Sequence, residues 1–128
     1  MRDYAVAPKT TSVNYAVDGG RLFAGEPLSW VEVATPAGVI VSAVAMDNAN
    51  DNVVYIGAAN EMAIYRSSDN GQNWLRVPLT DAYIGGVTDL AVDSAQRLVY
   101  VGTDTAGLFR LRDVGSSLVN SGQLLLDE

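Results

Sequence analysis

The sequence predicts an all-β protein built from repeated four-stranded antiparallel sheets, and three observations support this fold class. Short stretches rich in valine, isoleucine and tyrosine alternate with turns that contain glycine, aspartate, asparagine or proline, which is the pattern of strands joined by tight connections. No apolar pattern with a helical period runs for three turns, so we expect no long helix. The apolar stretches also recur at a spacing of about 45 residues.

Residues 1–12 lack a clear apolar period, and we expect them to form an irregular N-terminal arm. The remaining chain, 13–128, is expected to form the sheets. Residues 113–122 are polar and are expected to be a long connection. The predicted strands occupy residues 13–17, 21–25, 28–33, 39–46, 53–57, 62–66, 74–77, 87–93, 98–102, 107–112 and 123–126.

The internal repeat can be read directly from the aligned segments. The stretch Val41–Asp47 recurs 46 residues later as Val87–Asp93, and Trp30 recurs 44 residues later as Trp74. Four strands in about 45 residues is the size of one β-propeller blade. We therefore predict approximate blades at residues 13–35, 39–78 and 87–126, of which the first is partial and the other two have four strands. In each blade the run before the shared aspartate would be the innermost strand and the tryptophan strand the outermost.

One turn between predicted strands carries a motif of its own. Ser67, Asp69, Gly71 and Trp74 form the pattern Ser-x-Asp-x-Gly-x-x-Trp. Asp69 is placed to accept hydrogen bonds from backbone N–H groups of the turn, and Gly71 can adopt a positive φ. The stretch resembles the Asp-box, the BNR-type repeat of sialidase-like β-propellers. The resemblance implies a structural role for these four residues as the staple of a corner.

The number of repeats does not fit a closed ring. Two full blades and one partial blade are fewer than the four to eight blades of known propellers, and open ends would expose unpaired strand edges. Three interpretations stay open. The chain is a fragment of a longer propeller, it associates with further copies of itself to complete a ring, or it pairs with a different chain.

Composition excludes several classes of function. The chain has a net charge of −7 and a sequence pI of about 4.3, which disfavours binding to nucleic acids and to anionic membrane surfaces. It contains neither cysteine nor histidine, so thiolate chemistry and a Ser-His-Asp set are ruled out. We expect no cofactor. The N-terminal residues do not have the pattern of a signal peptide, whereas the sialidase-like resemblance implies a location outside the cytoplasm.

Candidate catalytic and metal-binding residues have simpler explanations. Asp47 and Asp93 are equivalent in the repeat and could form a carboxylate pair, but turn capping is the favoured role. The tyrosines and arginines at repeat positions, such as Tyr55 and Arg66, are expected to be packing residues and solvated side chains. The Asx-rich residues 47–52 resemble the start of a calcium loop without its downstream glutamate. We therefore assign no catalytic residue and no metal site.

The sequence thus favours a non-catalytic β-propeller repeat module that acts as a binding or assembly scaffold. Its expected partners are further copies of itself or the remaining blades of a longer propeller, with a protein or carbohydrate as a further ligand. Two alternatives are kept: a fragment of an Asp-box glycoside hydrolase or lyase whose catalytic residues lie on other blades, and a self-assembling partial propeller.

Overall fold

The computed structural model describes residues 3–6, 14–25, 29–47, 50–80, 84–113 and 118–124. In this part of the chain every regular element is a strand, which confirms the predicted all-β class. The strands are β1 (Asp3–Val6), β2 (Asn14–Asp18), β3 (Arg21–Gly25), β4 (Val31–Val33), β5 (Val41–Asp47), β6 (Asn50–Ala58), β7 (Ala63–Ser67), β8 (Leu75–Pro78), β9 (Val87–Asp93), β10 (Leu98–Thr103), β11 (Leu108–Asp113) and β12 (Leu118–Leu124).

The twelve strands form three antiparallel sheets of four strands each. Sheet A contains β1 to β4, sheet B contains β5 to β8, and sheet C contains β9 to β12, each in sequence order. All neighbouring strands within a sheet are antiparallel. Short polar turns make this arrangement possible, as in the Asp18-Gly19-Gly20 hairpin, where both glycines have positive φ.

The sheets are stacked in chain order around their first strands. Strand β5 contacts β1 on one side and β9 on the other, so sheet B lies between sheets A and C. Val41, Ser42, Ala43 and Val44 of β5 are all buried. This explains why the sequence of β5 is nearly continuously apolar, because both faces of the strand are covered, and the buried hydroxyl of Ser42 donates to the Val87 carbonyl of β9 (2.6 Å).

Two separate apolar cores hold the stack together. The core between sheets A and B is built around Tyr15, Leu22, Val54 and Ile56. The core between sheets B and C is built around Ile64, with further side chains contributed by both sheets; its fully buried members include Tyr55, Val99, Val101 and Leu111. Alternate residues of β6 point into opposite cores, as the two-residue period of a strand requires.

Two sequence-based expectations need correction. The N-terminal arm, residues 1–12, was expected to be irregular and the first blade partial, but Asp3–Val6 forms β1 and pairs with β2, which gives sheet A four strands. Residues 1, 2 and 7–12 of the arm lie outside the described residues. The polar connection expected at 113–122 likewise contains the start of β12, which pairs with β11 from Leu118 onwards. In both cases antiparallel pairing with the neighbouring strand supplies backbone hydrogen bonds to a segment whose own apolar pattern is weak.

Candidate functional site

The turn of residues 67–74 is organised by a single carboxylate. Asp69 Oδ1 accepts hydrogen bonds from the backbone N–H groups of Gln72 (3.1 Å) and Asn73 (2.9 Å), and Oδ2 accepts one from the Asn73 side chain (2.7 Å). Hydrogen bonds from the Asn73 side chain, from Ser67 and from these backbone groups lower the pKa of Asp69 to about 2. The carboxylate therefore forms these hydrogen bonds within its own turn.

The neck of this turn is closed by Ser67. Its buried hydroxyl donates to Asp69 Oδ1 (2.7 Å) and accepts from the Gly71 backbone N–H (2.8 Å). Gly71 has φ of 86°, a value that other residues rarely adopt. A Cβ at Gly71 would also lie 3.0 Å from the Val33 side chain of sheet A, so the turn packs closely against the neighbouring sheet.

Trp74 connects this turn to sheet A. The indole is partly buried against the core between sheets A and B, and its Nε1–H donates to the Ala34 carbonyl (3.1 Å). The four residues Ser67, Asp69, Gly71 and Trp74 are thus brought together at one end of the interface between sheets A and B. Their hydrogen bonds and packing contacts are made within the turn and with the neighbouring sheet A, which is the arrangement of a structural corner.

The interface between sheets B and C contains a different polar centre. Asp113, at the end of β11, is 5% exposed, and its Oδ2 lies 3.1 Å from Nε of Arg66, which is 6% exposed. The Tyr55 hydroxyl donates to the same oxygen, and burial together with this hydrogen bond raises the pKa of Tyr55. Arg97 adds a second, more exposed ion pair at 3.8 Å. The expectation that Arg66 is solvated was therefore wrong: it is a buried ion-pair residue that joins two sheets.

Asp69 and Asp113 occupy the same position of the repeat. They are 44 residues apart and each is followed by x-Gly, but Leu111 replaces Ser67 in the third unit. Without the serine neck, Asp113 lies on β11 and crosses to sheet B. The signal available in the sequence was this retained Asp-x-Gly without its serine, together with a tyrosine and an arginine at matching positions of the preceding unit.

The same comparison explains an unpaired group in the other interface. Tyr15 is fully buried and faces Ala24 across the β2–β3 pair, as Tyr55 faces Arg66 across β6–β7. Its hydroxyl has no hydrogen-bond partner among the described residues. Since Asp69 is held in its own turn, no carboxylate crosses from sheet B to meet Tyr15.

The outer faces of the two end sheets are open. On β9 of sheet C, Thr88, Asp89 and Ala91 are exposed, although β9 is the repeat equivalent of the buried β5. On the outer face of sheet A, a shallow pocket of about 160 Å³ is lined by Ala16, Asp18, Phe23 and Trp30. The side chains on these two end faces occupy repeat positions that are buried or partly buried in sheet B, which has a neighbouring sheet on each side.

A groove of about 690 Å³ also runs along the rim between sheets A and B, where it is lined by the Asp18-Gly19-Gly20 hairpin, Ile40 to Ser42 and Ala59. The candidate acids are elsewhere: Asp93 accepts the backbone N–H of Gln96 and Asp47 accepts the Ser94 hydroxyl (2.8 Å). Residues 48 and 49 of the candidate calcium loop lie outside the described residues. No cluster of three or more potential metal-ligating acids, histidines or cysteines occurs among the residues that the structure describes.

Two solved structures are similar to the whole stack. One is the GH74 xyloglucanase from Xanthomonas campestris, with a TM-score of 0.67 and 17% identity over 97% of this chain and 24% of that chain. The other is YCF48 bound to D1 peptide, with a TM-score of 0.69 and 19% identity over 94% of this chain and 39% of that chain. The fold is that of a β-propeller.

The comparison shows the fold alone, because both identities are low. The chain spans about a quarter of the xyloglucanase chain and about two fifths of the YCF48 chain. No protein-family model matches the sequence, and no curated protein matches it either. Within the described residues, no helix has the length and apolarity needed to cross a membrane.

Proposed function

We propose that this chain is a non-catalytic propeller module that acts as an assembly and binding scaffold, completed by further sheets on its open end faces. The observation that carries the proposal is the contrast between β5 and β9. They are the same strand of the repeat, yet residues 41–44 of β5 are all buried, whereas Thr88, Asp89 and Ala91 of β9 are exposed. Burial of the exposed face of β9 requires another sheet to cover it, and this sheet would contact the polar side chains of Thr88 and Asp89 as well as Ala91.

The opposite end of the stack supports the same proposal. The outer face of sheet A presents Phe23 and Trp30 around a shallow pocket. Phe23 is the register equivalent of Tyr65, which sheet B buries against sheet A. An aromatic side chain that is buried in the inner sheet and accessible in the end sheet favours coverage of that end sheet by a partner.

The covering sheets come from a second copy of the chain or from the remaining blades of a longer propeller. A protein partner also agrees with the neighbour YCF48, whose structure holds a D1 peptide. The rim groove at the Asp18-Gly19-Gly20 hairpin is a further place where an extended ligand would fit.

The competing proposal is a fragment of an Asp-box glycoside hydrolase. It is favoured by the similarity to a GH74 xyloglucanase, of which this chain corresponds to 24%. In that case the catalytic carboxylates lie on other blades. The isolated chain would then release no sugar from xyloglucan, whereas a longer chain containing it would.

The scaffold proposal is tested by the mass of the isolated chain in solution. Size-exclusion chromatography with light scattering is expected to give a mass above the 13.6 kDa of one chain, rising with concentration. Phe23→Glu, on the open face of sheet A, should shift the chain towards the monomer. Leu75→Glu, on the exposed edge strand of sheet B, is the matched control and should not. A strict monomer at every concentration would contradict coverage by a second copy, and the remaining blades of a longer propeller would then be the covering sheets.

A further inference from the structure

We infer that the open face of sheet C is a recognition site for a sheet that brings a carboxylate, and that Tyr100 and Arg110 bind this carboxylate. The inference rests on the proposed function, because it names the chemistry of the sheet that covers sheet C. The partner is a four-stranded antiparallel sheet whose third strand ends in an aspartate or glutamate, as β11 of this chain ends in Asp113.

The precedent lies within the molecule. Tyr55 and Arg66 are directly opposite each other on β6 and β7, and both bind the carboxylate of Asp113 from the next sheet. Tyr100 and Arg110 are directly opposite each other on β10 and β11. They follow Tyr55 and Arg66 by one repeat, so sheet C carries the same pair in the same strands.

The pair on sheet C points away from sheet B. Val99, Val101, Phe109 and Leu111 belong to the core between sheets B and C. Because successive side chains of a strand point to opposite faces, Tyr100 and Arg110 face the open side. Sheet C therefore carries on its open face the same tyrosine–arginine pair that sheet B presents to sheet C.

The arginine of this pair has an unused donor. The Nε of Arg110 is buried and has no hydrogen-bond partner among the described residues, whereas the equivalent Nε of Arg66 lies 3.1 Å from Asp113. A buried, unpaired N–H is costly. A carboxylate placed as Asp113 is placed on sheet B would satisfy it and would be held by a charge-assisted hydrogen bond.

In the sequence, the equivalent position of sheet A in a second copy does not carry an acid. By strand register Ala24 corresponds to Arg110 and Gly25 to Leu111, so the sequence position that matches Asp113 is Pro27. Asp18 of that face lies at the opposite end of the strands, beside Arg21. The occupant is therefore a sheet other than sheet A, with an acidic residue at this position.

The probe is a copy of sheet C, because its inner face already fits a sheet that carries a tyrosine and an arginine. We would append a duplicate of residues 79–124 directly after Leu124, in place of residues 125–128. The duplicate begins with the natural connection between consecutive sheets. The duplicated Asp113 should then meet Tyr100 and Arg110. The fusion is expected to unfold at a higher temperature than the original chain, and amides of β9 and β10 should gain protection from hydrogen exchange.

Arg110→Ala then separates the two proposals. In the original chain it should change the Tm little, whereas in the fusion it should lower the Tm by about 5 °C or more. The same substitution at the duplicated arginine, which stays on an open face, is the matched control and should have little effect. Replacing the duplicated aspartate by asparagine should reproduce the loss caused by Arg110→Ala.

Each of three results would overturn the proposed function, the carboxylate inference or both. If the appended sheet gives neither stabilisation nor protection, the open face does not accept a sheet and the proposed function fails with it. If the sheet docks but Arg110→Ala lowers the Tm equally in both chains, only the carboxylate inference fails. If Arg110→Ala dissociates an oligomer of the original chain, the occupant is a second copy and the stated partner is wrong.

Discussion

The interface between sheets A and B and the interface between sheets B and C use one position of the repeat in two ways. In the first, Asp69 stays in its own turn, bound to backbone N–H groups, and Trp74 makes the contact with the neighbouring sheet. In the second, Asp113 lies on β11 and forms a buried ion pair with Arg66 of the neighbouring sheet. A carboxylate thus serves as either a local staple or an inter-sheet bridge.

The difference follows from one neighbouring residue. Ser67 closes the neck of the turn by donating to Asp69 and accepting from Gly71. Leu111 stands at the equivalent position and is fully buried in the core between sheets B and C. Because leucine cannot hydrogen-bond to the carboxylate, the Asp113 carboxylate instead accepts hydrogen bonds from Tyr55 and Arg66 of the facing sheet. The lesson is that a repeat position can be conserved in identity within a chain and still change its structural role.

The largest expected effect comes from breaking the bridge. Asp113→Asn removes the negative charge and leaves Arg66 buried without its counter-ion, so the free energy of unfolding should fall by about 3–5 kcal/mol. Urea unfolding at neutral pH measures this loss. Replacing both partners by apolar residues, Arg66→Met with Asp113→Leu, should recover much of it. A double variant that is no more stable than Asp113→Asn would show that the charge is not the cause.

The next effect compares covered and open glycines. A Cβ at Gly57 would lie 2.4 Å from Cγ1 and 2.9 Å from Cβ of Val87 on sheet C, whereas its repeat equivalent Gly102 has only ordinary contacts within its own sheet. Gly57→Ala should therefore destabilise the chain by about 1–3 kcal/mol, and Gly102→Ala should be nearly neutral. Equal losses, measured by thermal unfolding, would argue against an open face on sheet C.

The two tryptophans give a similar contrast with a smaller expected difference. Trp74→Ala removes packing between sheets A and B and the hydrogen bond to Ala34, and we expect a loss of about 2 kcal/mol because the indole is only partly buried. Trp30 lines the pocket on the outer face of sheet A, so Trp30→Ala should cost less. If Trp30→Ala proves the more damaging change in urea unfolding, the outer face is already covered in solution.

The smallest effect is the contribution of the Asp69 turn to acid stability. The hydrogen bonds from Asn73 and Ser67 lower the pKa of Asp69 from 3.8 to about 2. The contribution of its ionised form is therefore fully present above the ordinary pKa and is lost as the pH falls towards 2. In Asp69→Asn this part of the pH dependence should be missing. Urea midpoints measured from about pH 5 to about pH 2 test this, and parallel curves for the two proteins would contradict the assigned hydrogen bonds.

Much of the fold could be predicted because local pattern and repeat agree. The nearly continuous apolar run of β5 indicates a strand that is buried on both faces, and the recurrence of the strand pattern 46 residues later as β9 predicts an equivalent strand in the adjacent sheet. Strand β1 could not be predicted, since Asp3–Val6 is short and is stabilised by pairing with β2. Local periodicity carries no information on such pairing.

The polar centres were harder to predict than the sheets. The residue types at Ser67, Asp69 and Gly71 specify turn hydrogen bonds within five residues. The bridge between Arg66 and Asp113 spans 47 residues and depends on which face each sheet turns to its neighbour. Arginines on strands look alike in the sequence, so the buried Arg66 and the open-face Arg110 could be separated only by the stacking order of the sheets.

This pair of arginines offers the most direct test of the account. Two double-mutant cycles in the 128-residue chain would measure the coupling of Asp113 with Arg66 and with Arg110, using Asp113→Asn combined with Arg66→Met or Arg110→Met. We expect a coupling of about 1–3 kcal/mol for the Arg66 cycle and a value near zero for the Arg110 cycle. A coupling near zero for Arg66, or equal couplings for both arginines, would contradict the claim that Asp113 bridges sheets B and C while the face of sheet C stays open.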